Sequence, residues 1–125
     1  MGFIWVALGG AIGSAARYGV NISAHRLMGY EFPWGTFFVN VVGSFAMGFL
    51  AAFLNAKFAE QHDLRLFLTT GILGGFTTFS AFSLDFFGAV QRGETAMGAV
   101  YVVATVLLSL VAVFAGFMVA KALTA

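Results

Sequence analysis

The sequence predicts an all-α membrane protein with four transmembrane helices per subunit, a broken third helix and an antiparallel, dual-topology homodimer as its assembly. Three observations lead there. Of 125 residues, 61% are hydrophobic and 9% charged, more apolar surface than a soluble domain of this size can hide. A glycine- and hydroxyl-rich stretch, residues 71–83, interrupts one of the apolar runs. The basic residues divide evenly between the two sides that four crossings create.

The apolar runs reach or approach the roughly 20 residues needed to cross about 30 Å of hydrocarbon. Span one covers about residues 3–23. It lacks a basic leading segment and a plausible cleavage site, so it reads as a retained span and not a signal peptide. Span two covers about residues 33–56, with Pro33 in the first turn, where its missing N–H is harmless. Loop two holds Lys57, Glu60, His62, Asp63 and Arg65. Span three runs over about residues 66–90, loop three over 91–94, and span four over about 96–120. Residues 1–125 form one four-span domain. The absence of Cys removes disulfides and thiolate chemistry, and a net charge of +1 on scattered residues gives no nucleic-acid footprint.

Lys57, Arg65 and Lys121 fall on one side of the membrane, and Arg17, Arg26 and Arg92 on the other. No positive-inside bias results. A chain without that bias inserts both ways and pairs with an inverted copy; the competing reading is that few charges carry a poor signal.

In the 71–83 stretch, Gly71, Gly74 and Gly75 weaken helical propensity. The hydroxyls of Thr77, Thr78, Ser80 and Ser83 offer partners to the backbone groups that a break frees. Broken helices persist in hydrocarbon only where protein or a water-filled cavity surrounds them, so a break at this depth points to an ion or substrate site.

Helical spacing groups other candidates. Gly9, Gly13 and Arg17 share a face. The glycines read as a packing seam; Arg17 either snorkels to the interface or supplies positive potential to an anion pathway. Asn40, Ser44, Gly48 and Ala52 form a second row, in which Asn40 is interhelical glue or pore lining. Tyr101, Thr105 and Ser109 form a third. Their hydroxyls either bond back to their own helix or make a polar track. Phe79 and Phe82 suit core packing, or turn positive ring edges to an anion. Asp85 sits near a vestibule or pairs with a cation, and spacing does not decide which. His25 and His62 read as solvated loop residues. No paired carboxylates, nucleophile–base pair or phosphate loop appears, which argues against an enzyme.

The stretch Gly13-Ser14-Ala15-Ala16-Arg17-Tyr18, the Trp34-Gly35-Thr36 leading to Asn40, and above all Gly74-Gly75-Phe76-Thr77-Thr78-Phe79-Ser80-Ala81-Phe82-Ser83 resemble the bacterial fluoride channel family, called Fluc or CrcB. The resemblance covers essentially the whole chain. It implies a fluoride-selective channel in the bacterial inner membrane that exports cytoplasmic fluoride passively through two antiparallel pores. It also implies a homodimer in the lipid bilayer with one structural Na⁺, held by backbone carbonyls of Gly74 and Thr77. On the same resemblance, Asn40, Phe79 and Phe82 line the fluoride pathway, the row Tyr101, Thr105 and Ser109 continues it, and Arg17 acts electrostatically at a vestibule. Ser80 joins these as a hydroxyl donor. The runner-up is a small multidrug-type, proton-coupled exporter. That class needs a membrane-embedded carboxylate in span one, whereas the only span carboxylate here is Asp85 in span three. A non-transporting scaffold leaves the span-three break without a purpose.

Overall fold

The computed structural model describes residues 1–125, and every regular element in it is helical. Helix α1 spans Gly2–Met28 and stops at Gly29, whose φ of 80° suits glycine and whose N–H returns to the His25 carbonyl. Helix α2, Trp34–Lys57, starts directly after Pro33. The third crossing, His62–Gln91, is composite. A single turn α3, His62–Arg65, leads into a π-helical stretch, Leu66–Leu73, and then α4, Gly74–Phe76. Helical geometry lapses over residues 77–79 and resumes in α5, Ser80–Gln91. A turn with Gly93 at φ 78° leads to α6, Thr95–Thr124. The four crossings have 24 to 30 residues each and are apolar enough to cross a membrane.

The π winding was not foreshadowed by composition. Within it the Thr69 hydroxyl donates to the Arg65 carbonyl at 2.6 Å, and the Gly74 N–H returns five residues to Thr69. Such wide turns recur at functional sites.

Two close-packed pairs organise the bundle. Helix α1 lies against the π-helical stretch and α4, and α2 lies against α6. In the first pair, a Cβ at Gly13 would collide with the Ile72 carbonyl, and one at Gly9 would come within 2.8 Å of the Gly71 Cα. The second pair is reciprocal: a Cβ at Gly48 would strike the Val113 carbonyl, and one at Gly116 the Phe45 carbonyl. Backbones approach this closely only where the side chain is a hydrogen. Helix α5 packs on α6. The two parts of the third crossing therefore have different partners. Tyr101, Leu54 and Val39 are the largest fully buried side chains. Only 20 residues of the single chain are buried, so its exterior is apolar along every crossing.

Candidate functional site

The site is built where the third crossing loses its helix. Thr77 is extended, with φ −86° and ψ 159°, which takes the carbonyls at the end of α4 and the N–H groups at the start of α5 out of the regular ladder. Local groups take over part of that bonding. The Thr77 N–H and hydroxyl both donate to the Leu73 carbonyl, at 3.0 and 2.9 Å. The Thr78 hydroxyl accepts the Ala81 N–H at 3.1 Å and so satisfies one of the free donors in the first turn of α5.

Two side chains from other helices do the rest. Asn40 on α2 engages the Thr78 backbone from both ends: its Nδ2 donates to the Thr78 carbonyl at 3.0 Å, and its Oδ1 accepts the Thr78 N–H at 2.8 Å. A carboxamide has the donor and acceptor spacing of a peptide group, so it substitutes for the missing ladder. Arg17 on α1 donates from Nε to the Gly75 carbonyl at 3.0 Å, a contact that neither reading of Arg17 from the sequence names. The Thr77 carbonyl accepts no hydrogen bond within the chain, and no side chain donates to the Gly74 carbonyl.

Beside this junction lies a groove of about 310 Å³, whose lining includes Asn40, Thr78, Phe79, Phe82, Thr105 and Ser109. Five of the seven residues expected along an anion pathway thus meet on one surface, with Thr77 and Ser44 also lining it. Phe79 and Phe82 have ring centroids 5.6 Å apart at 50°. Phe82 is buried, whereas Phe79 is 77% exposed on the single chain. The Thr105 and Ser109 hydroxyls are buried with no hydrogen-bond partner. Elsewhere Thr69, Thr77, Ser83 and Thr124 donate to the carbonyl four residues back. The two orphans on α6 are the buried side-chain polar atoms of this chain left without a partner.

Ser80 and Tyr101 lie outside the groove lining. The Ser80 hydroxyl stands 3.4 Å from that of Thr78. Tyr101 is packed against Phe82 and Phe32, at centroid distances of 5.2 and 5.4 Å, and its hydroxyl donates to Asp85 Oδ2 at 3.0 Å. Asp85 itself borders a second cleft, of about 300 Å³, with His25, Tyr30 and Arg92. His25 belongs to the last turns of α1 and stacks on Tyr30 at 4.3 Å. Sequence reasoning missed the backbone role of Thr78. The hydroxyl-rich stretch was its only signal, and a partner 38 residues away left none.

Comparison with known proteins places this sequence in a family. The family model described as "CrcB-like protein, Camphor Resistance (CrcB)" matches residues 4–117. Relatives named "Fluoride-specific ion channel FluC" are 56% identical over 118 residues in Rhizobium etli, covering 94% of each chain, and 56% over 120 residues in Rhizobium johnstonii, covering 96% of each. One from Hyphomonas neptunium is 51% identical over 122 residues, covering 96% of this chain and 95% of its own. With its four crossings, this is a multi-pass bacterial membrane protein. The chain belongs to the CrcB family.

Proposed function

We propose that this protein is a passive, fluoride-selective channel that lets cytoplasmic fluoride leave the cell. In this reading it is an antiparallel homodimer with two oppositely directed pores and a structural Na⁺ at its centre. The shared name of its relatives supports fluoride as the ion. The observation in the chain itself that carries the reading is the pair of unpartnered hydroxyls, Thr105 Oγ1 and Ser109 Oγ, beside the groove. Fluoride is small and strongly hydrated, so a narrow passage must replace its water with directed donors. A buried hydroxyl without a partner costs about 1–3 kcal/mol, and one bonded to a charged group gains about 1.5–3 kcal/mol. Two such donors in a mostly apolar groove suit a desolvated anion better than they suit packing alone. Asn40 keeps a second Nδ2 proton beyond the one given to Thr78. Phe79 and Phe82 offer ring edges. Ser80 extends the path past Thr78, and Tyr101 carries the polar row on to Asp85. Conduction makes and breaks no covalent bond, and the protein is not an enzyme.

The Na⁺ part rests on the oxygens left over at the junction. The free Thr77 carbonyl and the Gly74 carbonyl are hard donors, and no group of three His, Cys, Asp or Glu side chains competes as a metal site. Such a donor set fits a hard alkali cation. Gly74 and Phe79 lie exposed on the single chain, where an inverted second copy would cover them. A two-fold axis would then give the cation identical carbonyls from both subunits. When bound, the cation supplies a fixed positive charge and ties the two junctions together.

Fluoride-loaded liposomes containing the purified protein test the reading with a fluoride-selective electrode. The expected trace is rapid release under a K⁺ diffusion potential with no pH gradient. Release no faster than from protein-free vesicles ends the channel reading, and release that requires a pH gradient favours a proton-coupled exporter.

A further inference from the structure

Arg17 stands apart from both the groove and the Asp85 cleft. It continues the face of α1 on which Gly9 and Gly13 meet the third crossing, one further turn along. The seam that draws the two backbones together therefore delivers its guanidinium to the C-terminal end of α4. A guanidinium inside a crossing is expensive, and such residues face protein or water with a partner. Here the partner is a single carbonyl, that of Gly75.

The choice of carbonyl has a consequence for its neighbours. Where α4 stops, successive carbonyls from Gly74 onward lose their helical donors together. The Gly75 oxygen is taken by Arg17 and the Thr78 oxygen by Asn40. The Phe76 and Thr77 oxygens have no donor, and no side chain reaches the Gly74 oxygen. We propose that Arg17 is a positioning residue for the central cation: by engaging the Gly75 carbonyl it withholds that oxygen from the ion and anchors the backbone that directs the neighbouring Gly74 and Thr77 oxygens toward it. This rests on the Na⁺ site of the preceding subsection. It assigns Arg17 an effect opposite in sign to that of its charge. A positive group near a cation repels it, so loss of the charge alone tightens Na⁺ binding. Loss of a group that orients a ligand loosens binding, by about 10- to 100-fold for outer partners of metal sites.

The test uses the full-length protein in detergent, passed into sodium-free buffer. Retained sodium is measured by atomic emission, and the unfolding temperature is followed during titration with Na⁺, Li⁺ or K⁺. The wild type is expected to retain sodium and to be stabilised more by Na⁺ than by K⁺. Arg17→Met is expected to need about 10- to 100-fold more Na⁺ for half its effect, with weaker discrimination against K⁺. Arg17→Lys, whose ammonium can still donate to the Gly75 carbonyl but without the fixed direction of a planar guanidinium, should fall between. Unchanged or tighter Na⁺ binding in Arg17→Met overturns the assignment. If that variant does not fold, Arg17→Lys decides alone, and a wild-type affinity and cation order in it overturn the proposal. A wild type that retains no sodium and responds to no cation overturns the central-cation reading itself, and this inference with it.

Discussion

Thr105 and Ser109 are distinguished by being buried while their hydroxyls bond to nothing. Thr69, Thr77, Ser83 and Thr124 give theirs to their own helix, whereas these two are buried without an acceptor. Stability and transport should therefore respond in opposite ways to their removal. Replacing an unpaired buried hydroxyl by an apolar group of similar shape is nearly neutral or stabilising. Thr105→Val and Ser109→Ala should accordingly unfold in detergent at or slightly above the wild-type temperature. Fluoride release from liposomes should slow by about tenfold or more in each, the scale of one lost hydrogen bond to a charged acceptor. Variants that melt lower while conducting normally would mean that these hydroxyls serve packing instead.

Among the elements, α1 and the first part of the third crossing touch backbone to backbone, as α2 and α6 do. A side chain at Gly13 has no room beside Ile72, whereas one at Gly19 meets nothing within 4 Å in the single chain. Gly13→Ala should lower stability by about 1–3 kcal/mol or more through overpacking. Gly19→Ala, on the same helix, should be neutral or mildly stabilising, because alanine is the better helix former. Thermal unfolding of the two variants side by side checks the contrast, and equal midpoints would reject the seam. The same elements show what the sequence makes legible. The crossings are readable because uncharged runs of that length have few other uses. The lapse at residues 77–79 falls inside the glycine- and hydroxyl-rich stretch because those residues tolerate lost ladder bonds. The seam is readable from the spacing of Gly9 and Gly13. Winding at five residues per bond over Leu66–Leu73 leaves no mark in composition, since Leu, Phe, Thr and Ile serve an α-helix equally well. Spacing also groups Tyr101 with Thr105 and Ser109, but it cannot say where a long phenol ends. That end reaches Asp85. The pairing of Asn40 with Thr78 and of Arg17 with Gly75 depends on how helices dock, which no local pattern encodes.

On the scale of the whole molecule, the single chain is under-packed for a finished channel. Its groove opens to one side, and Phe79, Leu84 and Phe114 are each more than two-thirds exposed. Lipid can cover apolar side chains but offers nothing to an unpaired carbonyl such as that of Thr77. An inverted second copy meets both needs. Because the chain has no cysteine, single cysteines report orientation cleanly. Tyr30→Cys, between α1 and α2, and Gln61→Cys, between α2 and α3, should each be partly labelled from outside intact cells by an impermeant thiol reagent, in similar fractions. Complete labelling of one and none of the other would establish a single orientation and remove the antiparallel dimer.

The division of the third crossing between two partners also bears on how the chain is made. Its first part docks on α1, which is already in the membrane when it emerges. Its second part packs on α6, and Asp85 finds its Tyr101 donor there, 16 residues further on. Synthesis runs from the N-terminus. Asp85 must therefore enter the bilayer before its partner exists, at an insertion cost of about 2.5–3.5 kcal/mol if it reached the centre. The early, settled part of the third crossing then acts as the foothold from which a later and less comfortable part waits for the last helix to arrive.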